Sequence, residues 1–240
     1  MGSQQRGRGG TTGNLLLDAL DSATRVALVS GSETVRIEPG KVYYGEGDPL
    51  DTLYFPSGGV LSMVTRLADE TEVEAATTGR EGFILAQVLL GSTEVGQETH
   101  IGQIGGEMLA IQRVPFIEQV ARSDRLRELA TGYLQALMAQ MAFGVACNAR
   151  HDIEHRCARW LLQTHDSILA DTFDLRQEFL AMMLGVQRQS VTIAAGSLQR
   201  AGLIRYRRGH VTIEYREGLE SASCECYEKV RREYSRVVPL

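Results

Sequence analysis

Cysteine is scarce in this chain. Cys147, Cys157, Cys224 and Cys226 are the four present among 240 residues, and none is spaced as Cys-x-x-Cys. That excludes a dense disulfide framework, gives no indication of a structural zinc, and fits free thiols in a reducing compartment. Long apolar runs are missing as well. No stretch approaches the ~20 residues needed to cross a bilayer and nothing resembles a signal peptide, so the expected location is cytoplasmic, with no membrane contact. The Gly-rich, polar start MGSQQRGRGGTTG reads as a flexible tail over residues 1–14. Histidine is nearly absent between Glu33 and Arg113, where His100 stands alone. A metal-dependent enzyme built on that region needs several inward-facing His and carboxylate ligands, so no enzyme, metal or cofactor is expected.

Neither sign of charge dominates, with 25 basic and 30 acidic residues for a net −5. The imbalance is local: residues 1–151 hold 12 basic and 18 acidic side chains, whereas residues 152–240 hold 13 and 12. At 43% apolar residues the chain is long enough for two modest cores. Since the C-terminal part is close to neutral, affinity for nucleic acid has to come from placed arginines, and is expected to be moderate and salt-sensitive.

Such placement is found in LRQEFLAMMLGVQRQSVTIAAGSLQRAGLIRYRRGHVTI, Leu175 to Ile213. Phe179, Leu180, Met183 and Leu184 give a first helix its buried face, and Val191, Ala195 and Leu198 a second, with a tight turn at Gly185 and Leu203 and Ile204 closing the core. The second helix opens with Gln187, Arg188, Gln189, Ser190 and Thr192, side chains that hydrogen-bond base edges and phosphates in a major groove. The bland alternative is a helical hairpin that binds protein. A basic ribbon follows, in which Arg205, Arg207 and Arg208 surround Tyr206, Gly209 turns with His210, and Val211 to Ile213 return as a strand. That is the layout of a wing carrying positive charge to phosphates, and it favours double-stranded DNA as partner.

From Glu33 to about Arg113 the texture is of short alternating runs: Val35 and Ile37, Val42 and Tyr44, Leu53 and Phe55, Leu61 to Thr65, Val73 and Ala75, Met108 and Ala110. Turn signals stand between them at Pro39-Gly40, Gly45 to Asp48, Ser57-Gly58-Gly59 and Gly105-Gly106, which predicts a β-barrel or roll. Helical sequence runs from roughly Phe116 to Asn148. Leu126, Leu129, Tyr133, Leu137, Met141 and Val145 form one apolar line there, widened by Leu134, Met138 and Ala142. A helix apolar on more than one side needs more than one neighbour, so one face is expected to cover the roll and the other to meet the same helix of a homodimer. Leu126, Leu129, Tyr133, Leu137 and Met141 are placed on that seam.

With the hinge near Ala149–Asp152 and the helix HDIEHRCARWLLQTHD, this order of parts resembles a bacterial transcription regulator of the CRP/FNR superfamily. The resemblance covers about residues 15–216 and is most specific in LRQEFLAMMLGVQRQSV, GEGDPLDTLYFPSGGVLS and EVEAATTGREG. It implies an α+β chain with an N-terminal double-stranded β-helix, jelly-roll-like and akin to cyclic-nucleotide-binding domains, as sensor over 15–115. A dimerisation helix over 116–148 and a winged helix-turn-helix over 149–216 follow, then a helical tail over 217–240. The implied function is sequence-specific reading of a palindromic promoter site, with Arg188, Gln189 and Ser190 where the family places base readers. Ile193 stands where some members carry a further arginine, so the target sequence does not transfer. An effector-independent regulator and a non-catalytic interaction module are the alternatives.

The sensing chemistry departs from the pattern. Cyclic-nucleotide binders hold ribose and phosphate with Gly-Glu and then Arg followed by Ser or Thr; the nearest residues here are Ala86-Gln87 and Glu98-Thr99. A carboxylate facing a phosphate inverts the local field, so cyclic AMP and cyclic GMP are not expected as signals. Iron-sulfur members need cysteines ahead of the roll, where this chain has none, and haem has only His100 to use. Thr78-Gly79-Arg80-Glu81-Gly82 reads either as a tight structural turn or as a pocket lip in which Arg80 and Glu81, with Gln87 and Thr99, orient an unidentified small effector. Cys147, His151 and His155 recur at intervals of four and share a face of an unbroken helix beside Glu154, but the family's hinge breaks the helix between them, so no metal is assigned. The tail, with Glu225, Lys229 and Glu233 at i,i+4 spacing, packs on the DNA domain or meets RNA polymerase.

Overall fold

Two long strands carry the N-terminal half. The structure, a computed structural model, describes residues 11–91, 98–168 and 170–240. After α1 (Leu15–Asp18) and α2 (Ser22–Val29) come β1 (Glu33–Ile37), β2 (Val42–Tyr44), β3 (Thr52–Arg66), β4 (Glu72–Thr78), a 3-10 turn over Ala86–Leu90, and β5 (Thr99–Gln112). All pairings are antiparallel, in the order β1-β5-β3-β4 with β2 also on β5. The strands expected on either side of Ser57-Gly58-Gly59 are one strand, and the strand expected at Met108 and Ala110 runs back through Gly105-Gly106 to Thr99. These glycine pairs are a bend rather than turns. The β3–β5 register shifts at Pro56/Gly58 and Gly58/Val60, and Gly59 has φ +82°. A Cβ on Gly106 would lie 2.1 Å from the Gly58 carbonyl oxygen, so the two backbones close on each other only where side chains are absent and the sheet rolls over at that point.

The expected flexible tail ends earlier than residue 14. Its residues 1–10 lie outside the described residues. Asn14 is fully buried, caps α1 by accepting from the Leu17 N–H, and donates to the Pro56 and Gly82 carbonyls at 2.8 Å each.

The helical stretch is two helices, α3 (Arg113–Arg122) and α4 (Asp124–Arg150), because Ser123 leaves the helix and its hydroxyl accepts from the Leu126 N–H as an N-cap. The apolar line of α4 divides differently from the expectation. Leu126, Leu129, Tyr133 and Leu137, assigned above to a subunit seam, are buried inside their own chain. Tyr133 lies 5.2 Å from the Phe83 ring and 6.0 Å from the Tyr234 ring, and its hydroxyl is 3.0 Å from Thr78 Oγ1. The reason is the tail, whose helix α9 (Cys226–Ser235) lies along α4, with Val230, Tyr234 and Val238 entering the same core and Tyr234 donating to Gln140 at 3.0 Å. Met141 is half-buried, and the apolar side chains of α4 that face outward are Met138 and Val145.

Beyond the hinge, α5 (Ile153–Ser167) starts at Asp152, which accepts from the Glu154 and His155 N–H groups. It is followed by β6 (Thr172–Asp174), α6 (Gln177–Met183), α7 (Arg188–Arg200), β7 (Ile204–Arg207), β8 (His210–Ile213) and α8 (Arg216–Ser221). The second core, around Trp160, Leu180, Val191, Leu198 and Val211, also takes in Val60, Val64, Ile101 and Ile104 of the roll, so the two domains are packed on one another. Polar contacts complete that junction: the Trp160 indole donates to Glu74 at 3.0 Å, and Ser62 donates to the other Glu74 oxygen at 2.7 Å.

Burial pushes the Glu74 carboxyl up from 4.5 to about 7. A raised folded-state pKa means that the folded form binds the proton more tightly than the unfolded chain. Its contribution is complete below the unfolded value of 4.5 and is lost as pH rises through about 7. The melting temperature should therefore fall between about pH 5 and pH 7, and Glu74→Gln, neutral throughout, should flatten that slope in a calorimetric pH series. A slope unchanged by the substitution would remove Glu74 as its source.

Candidate nucleic-acid interface

The turn between α6 and α7 is a Schellman motif. Gly185 has φ +61°, its N–H bonds the Met182 carbonyl at 3.1 Å, and the Val186 N–H bonds Ala181 at 3.0 Å. This closes α6 and turns the chain so that α7 begins at Arg188 with Gln187 as N-cap. Val191, Ala194, Ala195 and Leu198 are buried against α5 and α6, which leaves Arg188, Gln189, Thr192 and Ile193 on the outer face at the N-terminal end, with Ser190 half-buried. Arg188 is 3.1 Å from Glu178, but both side chains are more than half exposed, so the pair is weak and open to exchange for a phosphate or a base. Thr192 donates to Gln177 at 2.8 Å.

The wing is a two-residue hairpin. Arg208 and Gly209 both have positive φ, at 52° and 82°, the geometry of a type I′ turn, and Arg207 pairs with His210 across it. The turn is thus Arg208-Gly209 rather than Gly209-His210, and His210 is the first residue of β8, where its Nδ1 lies 2.5 Å from Asp174. Arg205 is paired with Glu214 at 2.9 Å, whereas Arg207 and Arg208 are exposed and make no salt bridge among the described residues. Tyr206 holds the ribbon in place: its hydroxyl donates to the Leu175 carbonyl at 2.7 Å and its N–H donates to Gln199 at 2.6 Å. A groove lined by Arg176, Gln177, Arg188, Tyr206 and Arg208 runs between the helix pair and the wing. Two residues thereby join the reading surface. Arg176 was hidden as the residue before a helix, and Ile193, 68% exposed, offers an apolar contact of the kind thymine methyl groups take.

The candidate effector residues are engaged as follows. Arg80 donates through Nε to the Gly13 carbonyl at 2.9 Å and so ties down the N-terminal segment. Glu81 is buried, accepts from the Gly79 N–H at 2.7 Å and faces Ser167 of α5, and loss of solvent holds its carboxyl above the usual carboxylate range. Gln87 donates to Glu98, and Thr99 lies at the start of β5, opposite Val64. The contacts of Arg80 and Glu81 are those of a structural turn over residues 78–82. His100 is buried beneath Tyr44, and burial lowers its pKa to about 3, which keeps the imidazole neutral. Away from this surface, His155 pairs with Asp152 at 2.8 Å, while Cys147 and His151 meet Cys224 and Cys226 instead.

Residues 155–222 match the Crp-like helix-turn-helix domain family. Among curated proteins none matches the chain significantly in sequence. Solved structures show the wider likeness. FixK2 from Bradyrhizobium japonicum superposes with a TM-score of 0.66 at 14% identity, covering 80% of this chain and 98% of that one. The c-di-GMP responsive global regulator CLP of Xanthomonas campestris gives 0.63 at 20%, covering 80% and 99%. A CRP-family transcriptional regulator from Thermus thermophilus gives 0.61 at 19%, covering 79% and 96%. Residues 155–222 thus form a helix-turn-helix domain of Crp-like type. The chain as a whole has the architecture of CRP/FNR superfamily transcription regulators.

Arg188→Ala should cost about 1–3 kcal/mol of DNA affinity and relax base preference, whereas Arg207→Ala should weaken all sequences alike and flatten the salt slope. Binding assays on randomised sites at several salt concentrations separate the two; equal losses with unchanged preference would remove Arg188 as a base reader.

Proposed function

We propose that the chain is a non-catalytic, sequence-specific transcription regulator that acts in the cytoplasm as a homodimer on an inverted repeat. The observation that carries this reading is the exposed N-terminal face of α7, with Arg188, Gln189, Thr192 and Ile193, flanked by the wing arginines Arg207 and Arg208. Two such faces related by a twofold axis read half-sites about 34–36 Å apart.

The twofold contact proposed here is the outer stripe of α4, Leu134, Met138, Met141, Ala142 and Val145. Met138 is 58% and Val145 72% exposed, which is unusual for large apolar side chains repeating along one helix face. On the tail, Glu228, Lys229 and Arg232 face outward and are the part left for RNA polymerase. The roll is the signal-receiving domain in this reading, and its ligand is not a cyclic nucleotide. Glu98 is engaged by Gln87 where a phosphate clamp would need a cation, and Arg80 is spent on Gly13.

Met138→Glu with Val145→Glu should give a folded monomer that no longer retards a palindromic fragment, because a charge opposite its own copy opposes association while neither position is buried within the chain. Leu137→Glu, by contrast, should unfold the protein. Sedimentation with circular dichroism reads both, and a double variant that stays dimeric overturns this seam. Selection of bound genomic fragments tests the reading as a whole: recovery of no inverted repeat defeats it. Calorimetry with cyclic AMP or cyclic GMP should show no binding up to about a millimolar, equivalent to no more than ~4 kcal/mol; micromolar binding that strengthens the DNA complex would reverse the assignment of Glu98.

A further inference from the structure

We propose that Cys147, His151, Cys224 and Cys226 form a tetrahedral zinc site that clasps the C-terminal tail to the interdomain hinge. One ligand atom from each residue lies within 4.8 Å of all the others. Cys147 Sγ is 3.5 Å from Cys224 Sγ, and Cys226 Sγ is 3.7 Å from His151 Nδ1. With Zn–S near 2.3 Å and Zn–N near 2.0–2.1 Å, the edges of a tetrahedron are roughly 3.5–3.8 Å, so these separations match a single ion at the centre. They are far longer than the ~2.05 Å of a disulfide. The donors also converge too closely for a cluster of several irons and sulfides to fit among them.

The donor set and its surroundings point the same way. Three thiolates and an imidazole are a structural zinc set, and the three cysteines are buried in a small cluster of their own against Phe143. His151 turns Nδ1 toward the sulfurs and has Nε2 3.2 Å from the Glu225 carboxylate. A histidine whose second nitrogen is held by a carboxylate is oriented and made more basic as a ligand. Three thiolates on one divalent cation leave a net charge of −1, and two cations stand ready for it: Arg159 beside Cys147, and Arg156 near Cys147 and Cys224. The Nε atoms of both arginines are buried with no hydrogen-bond partner among the described residues, while terminal nitrogens bond the Leu184 carbonyl and Gln163.

Position gives the site its meaning. Cys147 is in the last turn of α4 and His151 is its C-cap, immediately before the Asp152 cap of α5. Cys224 stands between α8 and α9, and Cys226 is the first residue of α9. An ion held by all four joins the end of the long helix, the hinge and the tail.

The test uses the full chain purified without chelating resin. Elemental analysis should find one zinc per chain, and cobalt exchanged for it should give thiolate-to-cobalt charge-transfer bands with the visible bands of a tetrahedral site. Cys226→Ser and His151→Ala should each lose stoichiometric metal, Glu225→Gln should weaken cobalt binding about tenfold, and Cys157→Ala, which alters a cysteine outside the cluster, should retain it. Should a ligand variant fail to fold, the cobalt titration of the unaltered chain still decides. A chain that stays metal-free with zinc supplied and shows no tetrahedral cobalt spectrum overturns the proposal, as does full metal retention in Cys224→Ser with Cys226→Ser.

Discussion

The ring of Tyr133 fills the place where a side chain on Gly82 would begin: a Cβ there would lie 1.9 Å from a ring carbon. That contact can exist only with glycine at 82, and the rest of the molecule is arranged around it. On one side Tyr133 meets Phe83, which stacks on Phe55 at 4.8 Å and leans on Phe116 at 5.3 Å, so the long helix is keyed into the centre of the roll. On the other side it meets Tyr234, so the tail is keyed into the long helix. At Gly79, three residues earlier, a Cβ would likewise lie 2.3 Å from the Ser167 side chain at the end of α5. The segment Thr78 to Gly82 is therefore where roll, long helix and DNA-binding domain meet, and its glycines are there because backbone has to pass where side chains from two other elements already are.

How far the sequence reveals this depends on the range of the interactions. The helix-turn-helix was legible because its determinants are local: Gly185 at a left-handed position, apolar residues at helical spacing, and a basic hairpin next in line. The strands were legible where alternation is regular. The bend at Gly58-Gly59 and Gly105-Gly106 was not, since glycine signals a turn and a bulged crossing equally well, and only the partner strand decides which. Spacing alone gives α4 two apolar faces, one for the roll and one for a second subunit, but does not say which residues belong to which. Its division into an inner face ending in Leu137 and an outer face through Met138 and Val145 depends on α9, which is about a hundred residues away in sequence and lies on the inner face. The same distance hid the cysteine cluster. Cys147 and His151 were noticed for their spacing, but the residues that join them are a Cys-Glu-Cys triplet in the tail, and His155, in register on an ideal helix, is beyond the break at Asp152.

The junction between the domains is electrically unusual, with two carboxyls, buried Glu81 and half-buried Glu74, both held above their ordinary range by loss of solvent. A carboxyl in that position is stabilised when protonated or hydrogen-bonded and opposes docking when ionised. The indole of Trp160, the hydroxyl of Ser62 and the Gly79 N–H each supply a donor. The contact between roll and DNA-binding domain thus combines these donors with the apolar packing of Val60, Val64, Ile101 and Ile104 around Trp160, whereas the contact between roll and long helix is centred on packed aromatic rings.

The hinge between the α4 C-cap at His151 and the α5 N-cap at Asp152 joins these parts, and the clasp residues come from the end of α4 and from the tail. Cys147 and His151 belong to the end of α4, while Cys224 lies two residues beyond Ala222, the C-cap of α8. If a rotation about Asp152 changes the distance between Cys147 and Cys224, an ion that demands one tetrahedral geometry has different affinities for the two orientations. A ligand shifts an equilibrium only by such a difference, and the coupling is reciprocal, so DNA that selects one orientation must alter metal affinity by the same factor as metal alters DNA affinity. Arg156 is positioned to carry the effect inward: it lies beside Cys147 and Cys224 and donates to the Leu184 carbonyl at the cap of α6. The residue that balances charge at the clasp is therefore also the one that holds the turn ahead of the reading helix.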